Sequence, residues 1–121
     1  MEYPPEPFAS SVDVLQAATE VENAIHASNS GQAVNALDRA ISWLSHAKAY
    51  FELGISEGKT NYQPFLQLAD AAITDLDGIK QHVSSLSGTA LTTYHNGTIY
   101  NYQAYLGYLY AKLLKLVMTT Y

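Results

Sequence analysis

Arg39 and the four histidines are the residues of this chain whose types could carry chemistry. Arg39 and His46 are seven positions apart, which is about two helical turns, so both side chains would lie along one side of a helix. A pocket lined by this pair, together with tyrosines, could bind a ligand or act on a substrate. The chain contains no second arginine to build another such pair. The sequence therefore offers one candidate pair for an enzymatic or ligand-binding role.

The pattern Arg-x6-His formed by Arg39 and His46 resembles the motif of the HEPN helical-bundle nucleases. The resemblance spans eight residues and implies a nuclease in which these two side chains form the site. In that family the motif lies near the start of the last main helix, and a polar residue follows the arginine. Here Ala40 follows Arg39, and the pattern lies in the middle of the second predicted helix. A small helical-bundle enzyme or ligand-binding module is thus the alternative interpretation of this chain.

No metal or cofactor site is predicted from the sequence. Cysteine is absent, which removes thiolate nucleophiles and cysteine-based zinc sites. Glu22 and His26 are four positions apart, whereas di-iron bundles use a Glu-x-x-His motif on two helices. Asp75 and His82 share a helix flank but would need ligands from another helix. Since the chain also lacks HExxH, GxSxG and glycine-rich phosphate motifs, we expect a protein that is not an enzyme.

The composition is poor in charge and rich in tyrosine. Charged residues make up 14% of the 121 residues, against about 25% in typical globular proteins, and ten residues are tyrosine. Tyrosine combines apolar area with a hydroxyl group, so this composition favours association with a protein partner or with a second copy. The net charge is −5, and no cluster of Lys and Arg exists that would bind several phosphates. We therefore expect no nucleic-acid partner for the monomer.

Neither a targeting segment nor a membrane span is predicted. Residues 1–8 contain no basic region and no apolar core, so they do not form a signal peptide as written. The most apolar stretch, residues 99–121, is interrupted by two polar residues and two lysines, which are costly at bilayer depth. The sequence assigns no compartment.

The apolar pattern predicts four helices in a single domain. Three prolines predict an extended leader over residues 1–10, and the helical domain covers residues 11–121. Short turns containing Asn29 and Gly58 make successive helices antiparallel, which predicts an all-α, up-down four-helix bundle. The first three helices are predicted over residues 11–28, 32–55 and 61–86.

The second predicted helix carries an unusual stripe of side chains at spacings of four, three and four: Arg39, Trp43, His46 and Tyr50. The stripe lies away from the core face of the same helix. Trp, Tyr and Arg dominate binding hot spots, so one interpretation is a contact surface. The other is that the two aromatic residues widen the buried face while Arg39 and His46 lie at its edge.

The fourth predicted helix is apolar around most of its circumference. It begins near Thr89 or only at Thr98, because Asn96 and Gly97 are poor helix formers. A helix with two apolar faces is either the central helix of the monomer or packs against another subunit. The second face consists of Tyr100, Gly107, Ala111, Leu114 and Met118.

These features together predict a structural or adaptor protein that self-associates, as a homo-oligomer, or binds another protein. Association with another subunit would then explain three features at once: the surplus apolar face, the low charge and the concentration of seven tyrosines in residues 94–121. Coat, filament and scaffold roles, including a component of a virion or of a surface assembly, are consistent with this interpretation.

Overall fold

The chain folds into four helices in sequence order. The computed structural model describes residues 6–120, apart from the side chains at 6, 7, 117 and 120. No strand occurs in that range, so the predicted all-α, up-down four-helix bundle is confirmed. Helix four is a continuous rod of three pieces, α4, a π-helical segment and α5. The elements are α1 (Glu6–Ile25), α2 (Ser30–Ser56), a 3-10 turn (Thr60–Tyr62), α3 (Gln63–Val83), α4 (Gly88–Tyr94), the π-helical segment (His95–Ile99) and α5 (Tyr100–Thr120).

The first helix begins earlier than the sequence pattern indicates. It starts at Glu6, so residues 6–10 of the predicted extended leader are helical, while residues 1–5 lie outside the described residues. A proline in the first turn of a helix loses no hydrogen bond, so Pro7 does not oppose this start. The Ser11 hydroxyl donates to the Phe8 carbonyl at 2.7 Å within the same turn. Ser11 thus belongs to the helix interior and is not its cap.

The turn residues act as predicted at two positions. Asn29 is the N-cap of α2, and its side-chain oxygen accepts a hydrogen bond from the Gln32 N–H at 2.9 Å. Gly58 follows α2 with a φ of 92°, a conformation that favours glycine. Both turns are short, so α1, α2 and α3 run antiparallel.

Helix four does not break at Asn96 and Gly97. It starts at Gly88, close to the earlier of the two predicted positions, and passes through the π-helical segment without interruption. The Tyr100 N–H donates to the His95 carbonyl five residues back, which is the π-helical pattern. The weak helix formers therefore widen one turn of the rod.

The helices pack most closely where small side chains face each other. The backbones of α1 and α2 have the most extensive contact, and α2–α3 and α1–α5 follow. Both helices carry several buried alanines, whose small side chains let the helix axes approach. They are Ala17, Ala18 and Ala24 on α1, with Ala33, Ala36, Ala40 and Ala47 on α2. The fourth side, between α3 and helix four, lacks comparable backbone contact and is bridged by long side chains, as described below.

An aromatic cluster closes one end of the bundle. Phe51 of α2 is 1% exposed and its ring centroid lies 5.8 Å from that of Phe65 and 6.4 Å from that of Tyr62. Tyr62, in the 3-10 turn, is also buried, and its ring covers Gly54 of α2. The missing side chain at Gly54 makes room for this ring.

Candidate functional site: the outer face of helix four

Helix four has one buried face and one exposed apolar face. The buried face includes Ile99, Leu106, Leu109 and Leu113, each at most 2% exposed. The second face predicted from the sequence points to solvent and is called the outer face here. Its exposed fractions are 57% at Tyr100, 37% at Leu114 and 73% at Met118, and Gly107 and Ala111 are exposed as well. Helix four is therefore not enclosed on all sides by the described residues.

Three apolar side chains of the neighbouring helix α1 also point outwards. Phe8, Val12 and Leu15 are 44%, 39% and 43% exposed and follow each other at spacings of four and three. That spacing places them on one side of α1. These three residues were not predicted as a surface, although their spacing is visible in the sequence, because the core stripe of α1 accounts for an amphipathic helix by itself. The apolar surface thus involves two adjacent antiparallel helices.

The outer face has basic and no acidic neighbours on its own helix. The last acidic residue of the chain is Asp77, and α5 contains only Lys112 and Lys115 as charged residues. Lys112 places its ammonium group 5.3 Å from the ring centroid of Tyr108, which is 61% exposed. By contrast, α1 carries four acidic residues and no Lys or Arg.

The predicted stripe of α2 lies at its boundary with α1. Arg39 pairs with Glu20 of α1 at 2.9 Å. Trp43 is half-buried against the core and contacts the His46 ring edge-on at 5.8 Å, while Tyr50 is 37% exposed. Trp43 thus widens the buried face, as in the second interpretation, whereas Tyr50 is exposed, and the contact surface stays a prediction.

Arg39 lies at a cavity between α1 and α2 that does not reach His46. Arg39 borders a polar cavity of about 380 Å3 with His26, Asn23 and Asn35, and His46 is not among its lining residues. Two helical turns separate the pair by about 10 Å along the axis. The nuclease-like or ligand-binding role of these two residues stays a prediction.

A buried carboxyl group lies next to His46. Asp13 of α1 is 6% exposed, and its Oδ2, like the Oγ of Ser10, has no hydrogen-bond partner among the described residues. Burial raises the pKa of Asp13 above its usual 3.8, while the charge of His46 acts in the opposite direction. The ionised carboxylate therefore opposes folding.

Asp13→Asn is expected to raise the free energy of unfolding by about 1 kcal/mol at neutral pH. Because the pKa of Asp13 is raised in the folded protein, the unfolded chain loses this proton at a lower pH than the folded protein does. The resulting loss of stability is therefore absent below pH 3.8 and complete above the folded-state pKa. Urea denaturation at neutral pH measures the expected gain in stability, and the same experiment at acidic pH measures its disappearance. Equal stability of the two proteins at neutral pH contradicts the prediction.

Long side chains bridge α3 and helix four across the open fourth side of the bundle. The Tyr102 hydroxyl donates to the Asp75 carboxylate at 3.0 Å, and the rings of His82 and Tyr94 lie 4.7 Å apart. The sequence places Asp75 and His82 on one flank of α3, where they could bind a metal only with ligands from another helix. Each contacts a tyrosine of helix four here, and the described residues contain no group of three side chains suited to a metal.

Within residues 6–120, no helix combines the length and the hydropathy that crossing a bilayer requires. In comparisons with known proteins, no family model matches the chain, and no curated protein or solved structure does. A functional interpretation therefore depends on the surfaces of the chain itself.

Proposed function

We propose that this protein is a structural subunit that self-associates through the outer face of helix four. The observation that carries the proposal is the exposure of Tyr100, Leu114 and Met118 on a helix whose opposite face already fills the core. Large exposed apolar side chains grouped on one side of a small protein are typical of interaction surfaces. Scattered single residues would not support the same conclusion.

The size of this surface suits association. Helices of about 20 residues are about 30 Å long, so α1 and α5 side by side present roughly 600 Å2. A standard interface buries about 800 Å2 on each partner. The outer face together with Phe8, Val12 and Leu15 approaches that scale, and these side chains supply the apolar centre that a stable interface needs.

Charge complementarity favours a second copy of the same chain as the partner. Through residue 88 the chain has eleven acidic and four basic residues, a net charge of −7, whereas residues 89–121 have only Lys112 and Lys115, a net charge of +2. In a dimer with two-fold symmetry, α5 of one copy can pack against α1 of the other, and this contact occurs twice. The basic α5 then faces α1, on which Glu22 is the exposed acidic side chain among the described residues, in both halves of the interface.

The test is the absolute mass in solution, measured by light scattering over a hundredfold range of concentration. We expect a dimer or a larger homo-oligomer, and Leu114→Glu combined with Met118→Glu should return the mass to the 13.3 kDa of one chain. Burying a carboxylate in an apolar interface without a partner opposes association by several kcal/mol.

The matched control is Leu53→Glu, because Leu53 is 48% exposed on α2 and lies outside the outer face. It matches the single variant Leu114→Glu, because each introduces one carboxylate at an exposed leucine, and it should leave the oligomer intact whereas Leu114→Glu should weaken association. A wild-type mass of one chain at the highest concentration, or equal dissociation by both kinds of variant, would overturn the proposal.

A further inference from the structure

The three aspartates of α3 have different partners. Asp70 pairs with Lys48 at 2.7 Å and Asp77 with Lys80 at 3.5 Å, so both are neutralised by lysine. Asp75 instead accepts a hydrogen bond from the Tyr102 hydroxyl, and no lysine, arginine or histidine of the described residues pairs with it. Asp75 is exposed, so its charge is available to a ligand.

Asp75 lies in a groove between α3 and helix four. The groove has a volume of about 520 Å3 and is lined by Asp75, Thr98, Asn101, Tyr102 and Tyr105, none of which is basic. That volume is within the range of small-molecule sites. The ring centroids of Tyr102 and Tyr105 are 5.4 Å apart and their planes meet at 53°, so two aromatic surfaces border the space next to the carboxylate.

Tyr102 and Tyr105 are half-buried and neutral, so their hydroxyl groups add no charge to the groove. Burial raises the pKa of Tyr102, and so do the hydrogen bond to Asp75 and its charge; burial and the charge of Asp75 raise the pKa of Tyr105. At neutral pH the groove therefore holds one carboxylate and two phenol rings. Ring faces attract cations, and a carboxylate adds direct Coulombic attraction.

We propose that this groove binds a small organic cation with an alkylammonium group. The ammonium group faces the Asp75 carboxylate, and its carbon substituents lie against the rings of Tyr102 and Tyr105. Asn101 and Thr98 supply the polar edge of the same groove. The wide π-helical turn directly before α5 contains Thr98, and such turns often occur at binding sites. The groove lies on the α3 side of helix four, so this inference is independent of self-association through the outer face.

The test is a titration with choline, followed through the ring resonances of isotope-labelled tyrosines. Its uncharged carbon isostere, dimethylbutanol, is the matched probe, since the two molecules have nearly the same shape. We expect saturable shifts at Tyr102 and Tyr105 with choline and binding of the isostere at least tenfold weaker. Equal binding of the two probes, or no saturable shift with choline, would overturn the proposal.

Two substitutions on α3 separate the groove from the overall charge of the protein. Asp75→Asn keeps an acceptor for the Tyr102 hydroxyl but removes the charge, so it should weaken choline binding at least tenfold. Asp70→Asn makes the same change in charge on the same helix at the residue that pairs with Lys48, and it should leave binding unchanged. Equal weakening by both substitutions contradicts a specific site.

A second pair of variants tests the aromatic surface without touching the carboxylate. Tyr105→Phe keeps the ring and should bind choline as the wild type does, whereas Tyr105→Leu should weaken binding several-fold. Circular dichroism of each variant confirms that the helices are retained. Equal choline affinity of the phenylalanine and leucine variants would show that the ring does not contribute.

Discussion

Gly54→Ala is expected to destabilise the protein by about 2 kcal/mol, although alanine is the better helix former. Gly54 lies in α2 under the ring of Tyr62, and an added methyl group would overlap the ring carbons. Tyr62 is 3% exposed and is bordered by the buried Phe51, so the ring has little room to move. Overpacking of this kind costs about 1–3 kcal/mol. Urea denaturation measures the change.

Two further variants isolate the cause of this effect. Gly78→Ala on α3 is the matched control, since nothing lies within 4 Å of the added methyl group. It should stabilise the protein by up to about 1 kcal/mol through helix propensity alone. In a Tyr62→Ala background the ring is gone, and Gly54→Ala should become neutral or stabilising. Equal stabilisation by Gly54→Ala and Gly78→Ala would show that Tyr62 does not restrict position 54.

Deleting Gly97 is expected to leave the fold intact, with a change in the free energy of unfolding below about 2 kcal/mol. Most deletions within a helix rotate everything beyond them by about 100°. The π-helical segment His95–Ile99 contains one residue more than an α-helix would use, so removing one restores regular hydrogen bonding and keeps the orientation of α5. Cooperative unfolding followed by circular dichroism measures the outcome.

The matched control is the deletion of Ala104, an exposed residue of regular α5 whose own side chain contributes little. Here no extra residue absorbs the change, so Leu106, Leu109 and Leu113 rotate out of the core. Loss of three buried leucines from the core amounts to several kcal/mol, and we expect helix four to lose its cooperative packing. If both deletions destabilise the fold equally, the π-helical segment does not contain a residue that helix four can lose.

Much of the fold could be predicted from local signals. Apolar spacing of three and four residues identified the four helices, and Asn29 and Gly58 identified two turns, because both depend on a few neighbouring residues. The start of α1 at Glu6 was missed, because prolines were interpreted as a leader and not as a tolerated first turn. The π-helical segment was also missed, since Asn96 and Gly97 signal poor helix formation but not how a tertiary fold accommodates it.

The candidate sites were harder to predict than the helices, because they depend on how the helices pack together. Two apolar faces on helix four were visible in the sequence, but only the structure places one of them in solvent. Tyr102 and Asp75 are 27 positions apart, and their contact depends on the register between α3 and helix four, which no local pattern encodes. The burial of Asp13 was likewise unpredictable, because a carboxylate on a core face contradicts the usual distribution of charge.

The contact between the first and the last helix sets the order in which the bundle can assemble. Hairpins of α1 with α2 and of α2 with α3 close turns of a few residues. The π-helical segment, by contrast, packs against α1, and its His95 follows Ile25 by 70 positions. Closing a long loop costs more entropy than closing a short one, by an amount that grows with the logarithm of its length. We therefore expect α1, α2 and α3 to pack first and helix four to join them last. Until that late step, both apolar faces of helix four are open to another chain, so folding at high concentration favours exchange of this helix between copies.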